Sequence, residues 1–307
     1  MKKAIFPISI VLACSAALSG CVTDQHAARY QLEQQNVSAL NWMQQSGEYD
    51  ALAYQTFNGA RKAFDTAKVR KGYRKAVIVD LDETMIDNSA YAGWRVQHNM
   101  PYAEKTWGRW MAAEQARPIP GAVEFARYVN SHGGTMFYVT NRDAKSFEHT
   151  AANIRKLGFP GVSAKTLLLN SGQSNKQPRF DKVKAAGFDV VIYIGDNLND
   201  FGGATYHKTN QQRRAFVAAN REAFGTRFFM LPNPSYGDWV SGMAPDYYKQ
   251  PVEKQLEINR KAIRAGLAEA VWLFQNDNAK SGPEGPLFCN SEAINISASR
   301  TGTNGEP

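Results

Sequence analysis

At 307 residues the chain is long enough for one large domain or two small ones with a substantial core. Its 43% apolar and 21% charged residues are those of an ordinary soluble globule and not of a disordered chain. The net charge is +8, or +6 (8 − 2) without Lys2 and Lys3. With no dense Lys/Arg run, that balance suits small anions and argues against a nucleic-acid groove.

Residues 1–20 have the pattern of an export signal. Lys2 and Lys3 form a charged start, and Ile5 to Leu18 is an apolar run too short to span a bilayer. The run ends Leu18-Ser19-Gly20-Cys21, which resembles the bacterial lipobox. An ordinary secretory signal with a chance Cys is the alternative. The resemblance implies that Cys21 is lipidated and becomes the first mature residue. Val22 follows it, not Asp; by resemblance to enterobacterial sorting, that implies a lipid anchor in the bacterial outer membrane. Cys14 lies in the signal and only Cys289 remains, so no intrachain disulfide is available. There is no C-x-x-C-H haem attachment site and no Cys/His cluster of zinc spacing.

Residues 21–29 read as a tether. Over 30–71 the pattern is helical: Leu32, Leu40 and Met43 share a stripe. After the Ser46-Gly47 break, Leu52, Phe57, Ala60, Phe64 and Ala67 recur at three- and four-residue spacing. A core domain is expected over 72–250. Its first strand, Ala76 to Val79, is apolar and β-branched, as in a strand buried on both faces. A long polar and aromatic connection follows, a cap insertion over about 88–120. Then come a helix (Ala122 to Asn130), a strand (Thr135 to Val139), a helix around Phe147 to Leu157 and a short strand (Leu167–Leu169). A loop with Lys176 and Arg179 leads to a helix ending near Ala186. Strands at Val190–Ile194 and Phe228–Leu231 complete the set. Strand and helix alternate evenly, which predicts a three-layer α/β domain with a parallel sheet. Residues 251–275 have helical character, and 276–307, rich in Asn, Ser, Gly and Pro, read as disordered.

Three strands end in polar clusters: Asp80/Asp82, Thr140-Asn141, and Asp196/Asp200. In a parallel sheet those ends converge on one edge. Asp80 and Asp82, two apart, share a face if the strand continues, so both carboxylates are expected in one crevice. Taken alone, D-x-D is as often a polar turn. A calcium loop fails on Met85 at its sixth position and Tyr91 at its twelfth. Taken together, the carboxylates suit a hard cation, Mg2+ by preference, and Lys176 and Thr140 beside it suit a phosphate. Asp80 is then a nucleophile toward phosphorus, and Asp82 an acid and base for the alkoxide and the water. Asp87 reads as a cap. The five His residues make no i, i+4 pair and are assigned no catalytic part.

The ordered set D-L-D-E-T, V-T-N, Lys176 and G-D-N-L-N-D resembles the four motifs of the haloacid dehalogenase-like phosphatases. With Y-A-G-W and W-G-R-W after the first motif, the chain is similar to the class C acid phosphatases and, more closely, to the outer-membrane lipoprotein e 5′-nucleotidases. The likeness runs from the lipobox to about residue 250. It implies the strand order 5-4-1-2-3 and one Mg2+ per subunit, bound by Asp80, Asp196 and the Asp82 carbonyl, with Asp200 in support. It also implies that Thr140, Asn141 and Lys176 contact phosphate and that Trp107 and Tyr236 stack a substrate ring. The expected activity is hydrolysis of phosphomonoesters: nucleoside monophosphates, nicotinamide mononucleotide or NADP. The sequence leaves the oligomer open, a homodimer included. Asn199 stands where relatives can carry Asp, but the spacing of Asp196 and Asp200 is intact. The alternative from another class is a surface lipoprotein that binds haem or another ligand without catalysis.

Overall fold

The computed structural model describes residues 25–264. Helices α1 (25–34), α2 (Val37–Gln45) and α3 (Gly47–Thr66) precede strand β1 (Arg74–Val79). A small antiparallel ribbon, β2 (Ile86–Asp87) with β3 (Arg117–Pro118), brackets helices α4 (Ser89–Gln97) and α5 (Glu104–Ala113). Then come α6 (Ala122–Ser131), β4 (Thr135–Asp143), α7 (Phe147–Lys156), β5 (Leu167–Asn170) and α8 (Gln177–Ala185). After β6 (Phe188–Gly195), α9 (Asn210–Ala219) and β7 (Phe228–Met230), the short α10 (Asp238–Ser241) and α11 (Val252–Ala262) follow.

The main sheet is parallel, in the order β5-β4-β1-β6-β7. Numbered along the chain, its five strands read 3-2-1-4-5, which is the expected 5-4-1-2-3 from the other edge. The chain moves from β1 outward to β5, then returns to β6 on the opposite side of β1. That reversal is the switch point at which open α/β sheets place ligands, at the carboxyl ends of the strands.

Strand alternation explains the three layers. Val77, Val79, Met136, Tyr138, Ile192 and Ile194 face α3 and α6, where Phe57, Ala60, Phe64 and Phe125 meet them. Ala76, Ile78, Phe137, Val139, Val190 and Tyr193 face the other way, onto Phe180 and Val183 of α8. Gly134 opens β4 where a Cβ would lie 2.7 Å from the Phe64 ring and a Val129 methyl, so that close approach requires glycine.

Several expectations change. Residues 25–29, expected in the tether, belong to α1. Leu52 is 38% exposed; the buried stripe of α3 is Tyr49, Ala53, Phe57, Ala60 and Phe64. The 88–120 connection is mostly helical, and α5 buries little besides Met111, which weakens its periodic signal. Helix α9 is not among the expected elements; its buried side chain is Arg213, while Ala215 to Ala219 are intermediate or exposed. Strand β4 continues past Val139 through Thr140-Asn141-Arg142. The 1–20 leader, Cys21, the end of the 251–275 segment and the 276–307 tail lie outside the described residues. Among the described residues, no helix is long and apolar enough to cross a membrane.

Candidate active site

Asp80 is the first residue beyond β1, and its backbone N–H still bonds the Ile194 carbonyl at 3.0 Å. Asp196 is the first residue beyond the neighbouring β6. Asp200 follows in a tight 3-10 turn, Leu198–Phe201, closed by reciprocal caps. Asn197 N–H donates to Asp200 Oδ2 (2.9 Å), and Asn199 N–H donates to Asn197 Oδ1 (3.2 Å). Gly195 makes room for this turn, because a Cβ there would collide with the Asp200 carboxylate. Asp80, Asp196 and Asp200 each present an oxygen within 4.8 Å of the others, and all three are buried.

Lys176, at the start of α8, enters the same cluster. Its ammonium pairs with Asp80 and donates to Asp200 Oδ1 at 2.7 Å. Burial alone would push this ammonium down, but the carboxylates of Asp200 and Asp80 outweigh it and hold it above the ordinary lysine value. Asp196 is pushed up to about 6 by burial, with Asp200 adding to the effect. Asn233 Nδ2 (2.8 Å), Lys176 and Thr84 Oγ1 (3.0 Å) work against that rise. Three buried carboxylates thus face one ammonium. Buried charge without compensation is costly, and the donors are all oxygen, so the cluster fits a hard divalent cation.

Asp82 borders this cluster, near enough for its charge to act on Asp80. β1 ends at Val79, so strand alternation does not carry through to Asp82, and its carboxylate is not one of the three. Its Oδ1 accepts from Arg142 Nε (2.9 Å) and Asn88 Nδ2 (2.9 Å) and lies 2.8 Å from Arg142 Nη2 as an ion pair; Thr140 Oγ1 lies 3.3 Å from Oδ2. Arg142, Asn88 and Thr140 thus hold the Asp82 carboxylate beside the acidic cluster.

Thr140 is fully buried, and its Oγ1 accepts from Arg142 N–H at 3.1 Å. Arg179 clamps the same strand end: Nη1 donates to the Thr140 carbonyl (2.5 Å) and Nη2 to Asn141 Oδ1 (2.6 Å). Burial lowers the Arg179 pKa, with Asp80 and Asp200 opposing. Trp107, on α5, has its ring 5.1 Å from the Tyr91 ring and 5.4 Å from the Arg142 guanidinium. Tyr236, in the loop after β7, is 42% exposed and donates its hydroxyl to Glu83 Oε2. Glu83 is buried in the left-handed region (φ 56°) and also accepts from Asn88 N–H at 2.7 Å. Asp87, read as a cap, accepts from Ser89 N–H at 2.7 Å, one residue before the N-cap position of α4, which is Asn88.

Sequence reading missed Arg142, Arg179, Asn88, Asn233 and Glu83. Arg142 and Arg179 were visible as part of T-N-R and one helical turn after Lys176, but a single Arg in a polar segment is most often a solvated one. Asn233 had no signal beyond a turn-forming N-P.

The chain matches the family described as HAD superfamily, subfamily IIIB (acid phosphatase), over residues 10–239. Its fold is similar to the class C acid phosphatase from Bacillus anthracis (TM-score 0.73, 28% identity, 77% of this chain and 99% of that one). A structure of that enzyme with tungstate bound is also similar, at TM-score 0.71 and 27% identity, with the same coverage.

Proposed function

Since the chain belongs to the acid phosphatases of HAD subfamily IIIB and is a phosphomonoester hydrolase, we propose that it is a Mg2+-dependent 5′-nucleotidase working through a phosphorylated Asp80. The observation that carries this reading is the buried group of Asp80, Asp196, Asp200 and Lys176 at the switch point of the sheet. Asp80, Asp196 and the Asp82 carbonyl would hold the Mg2+, with Asp200 in support. When bound, the ion supplies positive charge to phosphate oxygens.

The chain's own groups do the rest. Lys176 holds a phosphate oxygen and neutralises charge that would repel an attacking carboxylate. Asp80 attacks phosphorus, which splits one difficult displacement into two easier ones. Asp82 protonates the departing alkoxide, then takes a proton from the water that cleaves the acyl phosphate. Thr140 and Asn141, clamped by Arg179, hold the phosphoryl oxygens.

Substrate choice is assigned to Trp107 and Tyr236. Both are tied to the first acidic turn, Trp107 through Arg142 and Tyr236 through Glu83. Aromatic faces take a base or nicotinamide ring without reading its identity, at roughly 1–3 kcal/mol per base. Trp107→Ala or Tyr236→Ala should therefore cut kcat/KM about 5- to 150-fold for nucleoside monophosphates, nicotinamide mononucleotide and NADP. For glycerol phosphate, which has no ring, the loss should be slight. Phosphate release from both substrate types with each variant is the test, and equal losses would remove the nucleotide assignment.

The location follows from Leu18-Ser19-Gly20-Cys21: a lipid on Cys21 holds the enzyme to the outer membrane. Cys21→Ser should give active enzyme that no longer sediments with membranes. Activity that stays in the pellet would contradict the anchor.

A further inference from the structure

Arg142 stands on β4, in the irregular stretch between the Val139 and Asp143 pairings with β5, is 2% exposed, and takes no part in the phosphate chemistry above. We infer that it is the positioning residue for proton transfer: with Asn88 it pins Oδ1 of Asp82 and leaves Oδ2 as the oxygen that carries the proton. The inference rests on Asp82 being the acid and base.

The two oxygens of Asp82 are treated unequally. Oδ1 accepts two N–H bonds, from Arg142 Nε and Asn88 Nδ2, each at 2.9 Å, and lies 2.8 Å from Arg142 Nη2 as an ion pair. Those donors saturate its lone pairs, and a proton placed there would displace one of them. Among the described residues, Oδ2 meets only the Thr140 hydroxyl, at 3.3 Å. A hydroxyl can turn to donate to the ionised oxygen or to accept from the protonated one, so Oδ2 is served in both states.

The cradle is itself fixed. Arg142 Nη2 also donates to Asn88 Oδ1 (3.1 Å), and Trp110 Nε1 donates to the same oxygen (2.8 Å). Asn88 is thereby set with its amide nitrogen toward Asp82. Arg142 Nη1 reaches Thr150 Oγ1 at 3.4 Å while Nη2 holds Asn88, so the guanidinium plane is held at both of its terminal nitrogens; the backbone N–H bonds Thr140 Oγ1. A planar fork does this where a lysine ammonium cannot. Because Trp110 belongs to α5, the cap insertion helps aim the acid.

In the first step the Asp80 oxygen bonds to phosphorus while the bond to the leaving oxygen breaks. That oxygen keeps the electron pair and takes the proton from Oδ2. In the second, water oxygen bonds to phosphorus, its proton passes to Oδ2, and the Asp80 carboxylate departs.

The test uses leaving-group dependence. A nitrophenolate departs without a proton, whereas an alkoxide needs one, and the second step needs the base for either substrate. Arg142→Ala should thus give a rapid burst of about one nitrophenolate per site from nitrophenyl phosphate, then slow turnover. With glycerol phosphate it should show no burst, and phosphorylation should fall about 100-fold, as for loss of general acid catalysis. Arg142→Lys, which keeps charge and bulk without the fork, should show the same pattern in weaker form and covers the case in which Arg142→Ala does not fold. Asp82→Asn is the reference. If it shows the burst and neither Arg142 variant does, with both substrates losing alike, Arg142 is only structural and the inference is overturned. If Asp82→Asn itself slows both substrates equally with no burst, the acid–base reading of Asp82 fails and the inference falls with it.

Discussion

Asp80→Asn should yield a folded protein with turnover below detection. The amide keeps the shape and the acceptor toward Lys176, whose second partner, Asp200 at 2.7 Å, is untouched. What it removes is the nucleophile, and a covalent route has no substitute for that. The loss should exceed several kcal/mol, or more than about a thousandfold. Folding should not suffer. Burial pushes the Asp80 carboxyl well above its usual range; Lys176 opposes the shift, while Asp200, Asp196 and Asp82 add to it. Its ionised form is therefore a burden on the fold at neutral pH, and the amide relieves it. Activity within about tenfold of wild type would sink the mechanism.

Removing divalent cations should abolish activity, and Mg2+ should restore it. Three carboxylates share one ammonium, so the apo site holds unbalanced negative charge. Asp196 shows the cost of burying that charge, with burial the larger cause and Asp200 adding to it. Its folded pKa is pushed up to about 6, above the unfolded value of about 3.9, so the native state holds a proton longer than the unfolded chain does. The sign follows: in the apo protein this group's contribution to stability is fully present below about pH 4 and lost as pH rises through about 6. A bound cation competes with that proton, so cation affinity should rise over the same interval. At a hundred times Kd, binding adds about 2.7 kcal/mol, which raises Tm by several degrees in a domain of this size. Melting curves with EDTA and with Mg2+ at pH 5 and pH 7 read this directly. Equal curves and undiminished activity in EDTA would refute the cation site.

The sequence showed the sheet plainly because β1, β4 and β6 are buried on both faces and stand out as apolar runs. Their polar ends marked Asp80, Asp196 and Asp200, and Lys176 joins them from α8. Asp82 reaches the site without strand alternation, since β1 has already ended at Val79; its carboxylate is set instead by Arg142, Asn88 and Thr140. The cap was legible as an aromatic insertion but not as helices, since α5 buries one face only weakly. Arg142, Arg179 and Asn233 matter through partners 37 to 60 residues away in sequence, such as Asp82, Thr140 and Asp196. No local pattern encodes such pairings. The left-handed Glu83 belongs to the same group: its carboxylate serves Tyr236, 153 residues on.

The central claim is that phosphate is transferred to Asp80 before it reaches water. Mixing Asp82→Asn protein with excess nitrophenyl phosphate, quenching in acid within the first turnover and mapping peptides by mass spectrometry tests it most directly. The expected result is a phosphoryl group on the peptide that carries Asp80, absent when Asp80 is also changed to Asn. Release of one nitrophenolate per site with no phosphorylated peptide, or with the phosphoryl group on another residue, would contradict it.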